Sequence, residues 1–142
     1  MKKFRGELTH KGDYILWNGE LLPLANFPLE AFWNEKNPQP YVDYEFDLDE
    51  GYTATWEISE GRLFLIGLEG WYPKLGAVSI KTFFPEAGDK VFASWFSGKL
   101  KLKKGKALTY FIYEQEWWLF IKEGFLITEQ LIGRWAETNW GF

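Results

Sequence analysis

The chain has 142 residues, the size of one ordinary domain, and carries nine Trp, seven Tyr and thirteen Phe beside one His and no Cys. Cysteine nucleophiles, disulfides, thiolate zinc and multi-His metal sites are therefore excluded. A net charge of −4, with a pI of about 5.1, argues against nucleic acid, which needs a basic stripe.

In chain order, Lys2, Lys3 and Arg5 look like the start of a signal segment, but Thr9, His10, Lys11, Gly12 and Asp13 interrupt it and no apolar stretch follows. No apolar run approaches the ~20 residues of a membrane span. The expectation is a cytoplasmic protein of one domain, residues 1–142, with no membrane segment. Residues 14–17, Asn18-Gly19 and residues 20–24 read as a hairpin, because Asn-Gly accepts positive φ at both turn positions. Pro23 cannot donate to a ladder and predicts an edge position or an early end. Pro28 suits the first turn of a helix over residues 28–36, with Leu29, Phe32 and Trp33 on one stripe. Residues 52–58 alternate Tyr52, Ala54, Trp56 and Ile58 with polar partners, the period of a half-buried strand. Residues 63–66 are apolar on both faces and predict a covered central strand. Three turns with a late Gly follow: Ser59-Glu60-Gly61, Lys103-Lys104-Gly105 and Lys122-Glu123-Gly124, each suited to a type I turn closed by a left-handed Gly. Ser79 is placed to cap one helical turn through Phe84, stopped by Pro85. Around residues 108–121 the inward parity switches, which a turn or bulge at Glu114-Gln115-Glu116 would resolve. Gly133 and the tail 135–142 fit neither class.

The chemistry is thin. His10 is the sole imidazole and sits in a polar stretch, and no Ser lies in a G-x-S-x-G elbow. Carboxylates near aromatics (Glu114 and Glu116 beside Trp117-Trp118, Glu69 near Trp71-Tyr72) are the material of a glycosidase, although this composition places such neighbours by chance. The clearest charge pattern is Asp43, Glu45, Asp47 and Asp49 on one strand face, with Tyr44, Phe46 and Leu48 on the other. Lys99, Lys101 and Lys103 form an opposite stripe, with Leu100 and Leu102 inward. The two stripes are cross-strand partners if adjacent; if apart, the acidic one is a docking surface for a basic partner. Trp71 and Tyr72, in an apparent loop over residues 70–73, and Trp135 and Trp140 in the tail do not fit strand alternation and are candidate binding residues. The bland alternative has them fold back and plug the core. Trp56, Phe64, Trp95, Phe96 and Trp117 are expected to build the core itself.

Thr53-Ala-Thr-Trp-Glu-Ile58, Gly61-Arg-Leu-Phe-Leu-Ile-Gly-Leu-Glu-Gly-Trp71, Phe84-Pro85 and Val91-Phe-Ala-Ser-Trp-Phe-Ser-Gly98 together carry a resemblance to small, uncharacterised bacterial proteins with an ATWEI…GLxGW…FP…FAxWFSGxL pattern. The resemblance implies a bacterial setting and transfers no catalytic residue.

The fold class expected is mainly β: an antiparallel meander of about eight to ten short strands in a sandwich or partly open barrel, with one or two short helices over an open end. No cofactor and no metal are implied. The leading functional expectation is a non-enzymatic binding protein acting through a protein surface, of inhibitor or immunity type. The alternatives are a small-ligand or carbohydrate-binding β module and a carboxylate-based hydrolase.

Overall fold

Three two-residue turns set the hairpins of this protein, whose computed structural model describes residues 12–33, 52–108 and 113–134. Asn18 and Gly19 have φ of 54 and 79, Glu60 and Gly61 of 53 and 75, Glu123 and Gly124 of 49 and 87. Positive φ at both central positions is the turn whose twist matches that of its flanking strands, so strand twist draws even Glu into the left-handed region. The two Glu-Gly turns are thus one residue tighter than the sequence suggests. Lys103-Lys104-Gly105 is no turn at all. The strand continues past it, and Gly105 (φ 90) lies where the register slips between Lys104 and Ala107.

The strands are β1 (Asp13–Trp17), β2 (Glu20–Leu24), β3 (Tyr52–Ser59), β4 (Arg62–Tyr72), β5 (Gly76–Val78), β6 (Val91–Phe92), β7 (Gly98–Ala107), β8 (Tyr113–Lys122) and β9 (Phe125–Arg134). They form one sheet in the order β3–β1–β2–β7–β8–β9–β4, closed into a ring by β3–β4 pairing, with β5 and β6 on the second edge of β4. The ring is mainly antiparallel. Its exception is β1, which runs parallel to β3 from Tyr14↔Thr55 to Leu16↔Glu57, a departure from a simple meander. Two seams are thin. β2 meets β7 at one bridge, Leu24↔Leu102, and β9 meets β4 at one bridge, Arg62↔Phe125. Pro23 accordingly sits where β2 has almost no second ladder to feed.

Inward residues fill the ring. Trp56, Leu63, Leu65, Leu100, Leu102 and Leu119 are fully buried, and Trp17 meets Trp117 edge-on at 5.2 Å. Asp13, also fully buried, accepts hydrogen bonds from the Ala54 amide (3.1 Å) and Trp56 Nε1 (2.9 Å). Its carboxylate lies at the start of the parallel β1–β3 seam and satisfies two donors that water cannot reach, which offsets the cost of burying it.

One end of the barrel is plugged by two short helical pieces. The predicted helix over residues 28–36 is only a 3₁₀ turn, η1 (Pro28–Phe32), and Trp33 is already extended. Ser79 caps α1 (Ile80–Phe83) as expected, in a reciprocal box with Thr82. Between them, Phe84 and Trp95 lie nearly parallel at 5.7 Å, and Phe32 meets both rings at 4.8 and 5.1 Å. Trp95 Nε1 donates to the Pro28 carbonyl (3.0 Å), while Glu30 accepts from Tyr52 (2.6 Å) and Trp33 Nε1 (3.3 Å). Phe64 departs from its expected core place. Leu63 and Leu65 point inward, so Phe64 lies on the outer face, half-buried beside Phe92.

Candidate functional site

The site is built by β9. Arg62 stands opposite Phe125, and the Leu126 amide donates to the Gly61 carbonyl at the tip of the β3–β4 turn (2.8 Å). In an antiparallel pair, every later residue of β9 then lies beyond the end of β4. Residues 127–134 keep β8 on one edge, and among the described residues no strand pairs with the other. Their backbone groups on that side form an open template.

Two bulges shape what this overhang presents. Phe120 pairs with Thr128 and Ile121 with Leu126, which leaves Ile127 without a counterpart. Glu116 pairs with Gly133 and Trp117 with Leu131, which leaves Ile132 without one. Extra residues bend a strand and re-aim side chains. Both isoleucines are turned to solvent, Ile127 62% and Ile132 38% exposed, and Phe125 is 49% exposed at the base of the same strand. Single exposed apolar residues are ordinary; three along one strand whose second edge no described strand covers beyond Phe125 are not.

At the base of β9, Phe125 meets Phe92 edge-on at 5.2 Å, and Phe92 meets Phe64 at 5.9 Å. Arg62 lies over Phe64 and Phe92 (5.6 and 5.8 Å) and Lys90 over Phe64 (4.2 Å). Gly124 makes this packing possible: a Cβ there would come within 2.7 Å of the Phe92 ring and 2.9 Å of the Ala93 carbonyl.

The sequence-predicted residues fall in different places. Trp71 is 43% exposed, on β4 opposite Ala77, in a hairpin with β5 where the sequence suggests a loop. Tyr72, one step on, faces inward and is fully buried against Phe83 (6.1 Å). Asp43, Glu45, Asp47, Asp49, Trp135, Trp140 and His10 lie outside the described residues. The lysine stripe has the expected parity, with Leu100 and Leu102 buried. Its cross-strand partners belong to β8: Lys99 and Lys101 lie over Trp118 (4.0 and 5.3 Å), and Lys103 reaches Glu116 (3.7 Å). No turn or bulge interrupts β8 at Glu114-Gln115-Glu116: the strand runs from Tyr113 to Lys122, the extra residues at the register slips belong to β7 and β9, and Tyr110 and Ile112 lie outside the described residues.

Two of the three carboxylates named for hydrolysis are occupied locally. Glu114 accepts the Lys106 amide (3.0 Å), and Glu116 accepts Trp118 Nε1 (3.0 Å). Glu69 and Asp89 both line a shallow cleft of ≈ 330 Å³ beside α1, together with Ser79 and Lys81 but no aromatic ring. It therefore lacks the flat apolar face on which a sugar would stack. Among the described residues no group of three His, Asp or Glu could hold a metal ion, and no helix is long and apolar enough to cross a membrane.

Comparison with family models, with curated proteins and with solved structures finds no match to this chain. The functional reading therefore rests on geometry.

Proposed function

We propose that this is a non-enzymatic binding protein that docks a protein partner by strand addition along the overhang of β9. Main-chain groups of Ile127 to Gly133 supply the ladder, while Phe125, Ile127 and Ile132 anchor the partner's side chains. The observation that carries this reading is the bulged overhang itself. Native proteins usually blunt a free edge with charge, Pro or bulges; this one has two bulges and the exposed Glu129, yet each bulge turns an isoleucine to solvent. Trp71, exposed on the β4–β5 hairpin, is a second anchor under the same reading. An inhibitor or immunity-type role in a bacterial setting is one form that such binding takes. The small-ligand alternative has less support, because the ring interior is filled by Trp17, Trp56, Trp117 and the buried leucines.

The test is selection of short peptides from a random library on the immobilised full-length protein. Selected peptides are expected to lose at least roughly tenfold in affinity against the Ile127→Ser, Ile132→Ser double variant, and as much when their own backbone is N-methylated at alternate residues. A library yielding no peptide, or only peptides indifferent to both changes, would remove the reading.

A further inference from the structure

β7, β8 and β9 follow one another in the chain, and their mutual ladders are long. β7 pairs with β8 from Gly98↔Ile121 to Ala107↔Tyr113, and β8 with β9 from Lys122↔Phe125 to Gln115↔Arg134. At both outer margins of this meander the ladder shrinks to one bridge among the described residues, Leu24↔Leu102 towards β2 and Arg62↔Phe125 towards β4. The β2 seam is reinforced by the Ala25 amide on the Lys101 carbonyl (2.9 Å), the Lys101 amide on Asn26 Oδ1 (2.6 Å) and a solvent-facing Lys104–Glu20 ion pair (2.7 Å). The β4 seam is reinforced by the Leu63 amide on the Gly124 carbonyl and the Leu126 amide on the Gly61 carbonyl (both 2.8 Å). The chain itself crosses into the meander at Phe96-Ser97, whose carbonyl and hydroxyl accept the Gly124 and Glu123 amides (2.9 and 2.8 Å).

The rest of the ring carries its own supports. Asp13 ties β1 to β3 through Ala54 and Trp56, and β3 pairs with β4 from Tyr52↔Gly70 to Ser59↔Arg62. Trp95 bonds to Pro28 and packs on Phe32 and Phe84, while Tyr72 packs on Phe83. None of these groups belongs to the meander. What the two parts share is the apolar interior, to which the meander contributes Leu100, Leu102, Leu119 and Ile121, and the ring pairs Trp17–Trp117 and Phe92–Phe125. Opening the meander alone exposes that shared surface. Global unfolding also breaks the plug and the β3–β4 ladder, so it requires more free energy, and contiguous supersecondary units of this kind are the ones that open separately. We propose that the β7–β9 meander is a flap that opens as one unit across its two seams while β1–β6 and the plug stay folded. The opening needs no docking partner. It bares an inner apolar face that the closed ring conceals, on the same meander that carries the β9 overhang.

The experiment follows amide hydrogen exchange of the full-length protein in urea well below its unfolding midpoint. Without urea both parts stay slow. In urea the amides bonded within the β7–β8 and β8–β9 ladders are expected to exchange as one set, at least roughly tenfold faster than those of the β3–β4 ladder. A clamp across the β4 seam tests the cause. The Leu63 and Leu126 amide bonds flank Arg62 and Phe125, which makes them a non-hydrogen-bonded pair with Cα atoms about 4.5 Å apart, within disulfide reach. The chain has no Cys, so Arg62→Cys with Phe125→Cys introduces one defined cross-link. Oxidised, it should slow the meander set by at least roughly tenfold, and reduction should restore the difference. Asn26→Ala removes an acceptor from the β2 seam and should speed the meander set by roughly fivefold while leaving the β3–β4 set unchanged. Exchange of both sets together at every urea concentration would overturn the flap, as would a β3–β4 set faster than the meander. A cross-link that forms without slowing the meander, or an Asn26→Ala effect shared equally by both sets, would overturn it too. Failure of the two cysteines to pair would contradict the seam on which it rests.

Discussion

The two ends of this barrel handle apolar surface in opposite ways. At the plugged end, η1 and α1 bring Phe32, Phe84 and Trp95 into mutual contact, and the Trp33 and Trp95 indole N–H groups and the Tyr52 hydroxyl each find an acceptor. At the β9 overhang, Ile127 and Ile132 are turned out by bulges on an edge that no described strand covers. Satisfied aromatics stabilise a fold, whereas exposed aliphatics beside an edge that no described strand covers are an aggregation risk, which under the docking proposal a partner removes. The difference separates the aromatic excess, which mostly packs against itself, from Ile127 and Ile132, which the bulges turn outward.

The largest effect is expected at the closed seam. Asp13→Ala would strand the Ala54 amide and Trp56 Nε1 without their buried acceptor, and the expected loss is about 2–5 kcal/mol by urea unfolding. A loss under ~1 kcal/mol would mean that water or another group takes over. Next comes Gly124→Ala, where a new Cβ meets Phe92 and the Ala93 carbonyl at a φ of 87. A cost of about 1–3 kcal/mol is expected, together with a looser Phe92–Phe125 pair. Ile127→Ser and Ile132→Ser sharpen the comparison from the other side. Each should leave stability within ~0.5 kcal/mol while weakening peptide binding, the reverse of Asp13→Ala. A large drop in stability there would mean that the overhang belongs to the core.

The smallest effect concerns two phenols. Burial raises the Tyr14 hydroxyl above its ordinary value of 10.0, with a further contribution from Tyr113, and burial raises Tyr113 likewise. Since the folded protein holds these protons more tightly, their contribution is fully present below the ordinary tyrosine range and is lost as pH rises through the raised values. Both groups remain substantially solvated, so only a slight alkaline decline is expected. Tyr14→Phe with Tyr113→Phe should flatten it in thermal melts recorded above pH ~10.

Much of the closed part was legible from residues alone. The alternation of residues 52–58 gives β3 with Ala54 and Trp56 buried, Asn18-Gly19 gives its hairpin, and Ser79 gives its cap. The parallel β1–β3 seam was not legible, because Asp13 acquires its meaning from donors more than forty positions away, and a carboxylate beside Gly12 reads locally as a turn. Phe64 was misplaced because a continuous apolar run hides which parity faces inward. Trp71 and Tyr72, taken together as loop residues, separate once the strand is seen to run through them, since neighbours on a strand take opposite faces. The overhang escaped a period-two reading because each bulge inserts a residue and resets the phase. A signal was present in the doublets Leu126-Ile127 and Leu131-Ile132, where two apolar residues meet at each break in alternation.

The most direct measurement is amide hydrogen exchange along β9, with and without a peptide selected for binding. The β9 amides from Ile127 to Gly133 that point away from β8 should exchange fast in the free protein and become protected when the peptide is added, while Leu119 and Ile121 in β8 stay slow throughout. Protection of those β9 amides already in the free protein, or none gained on binding, would contradict the account.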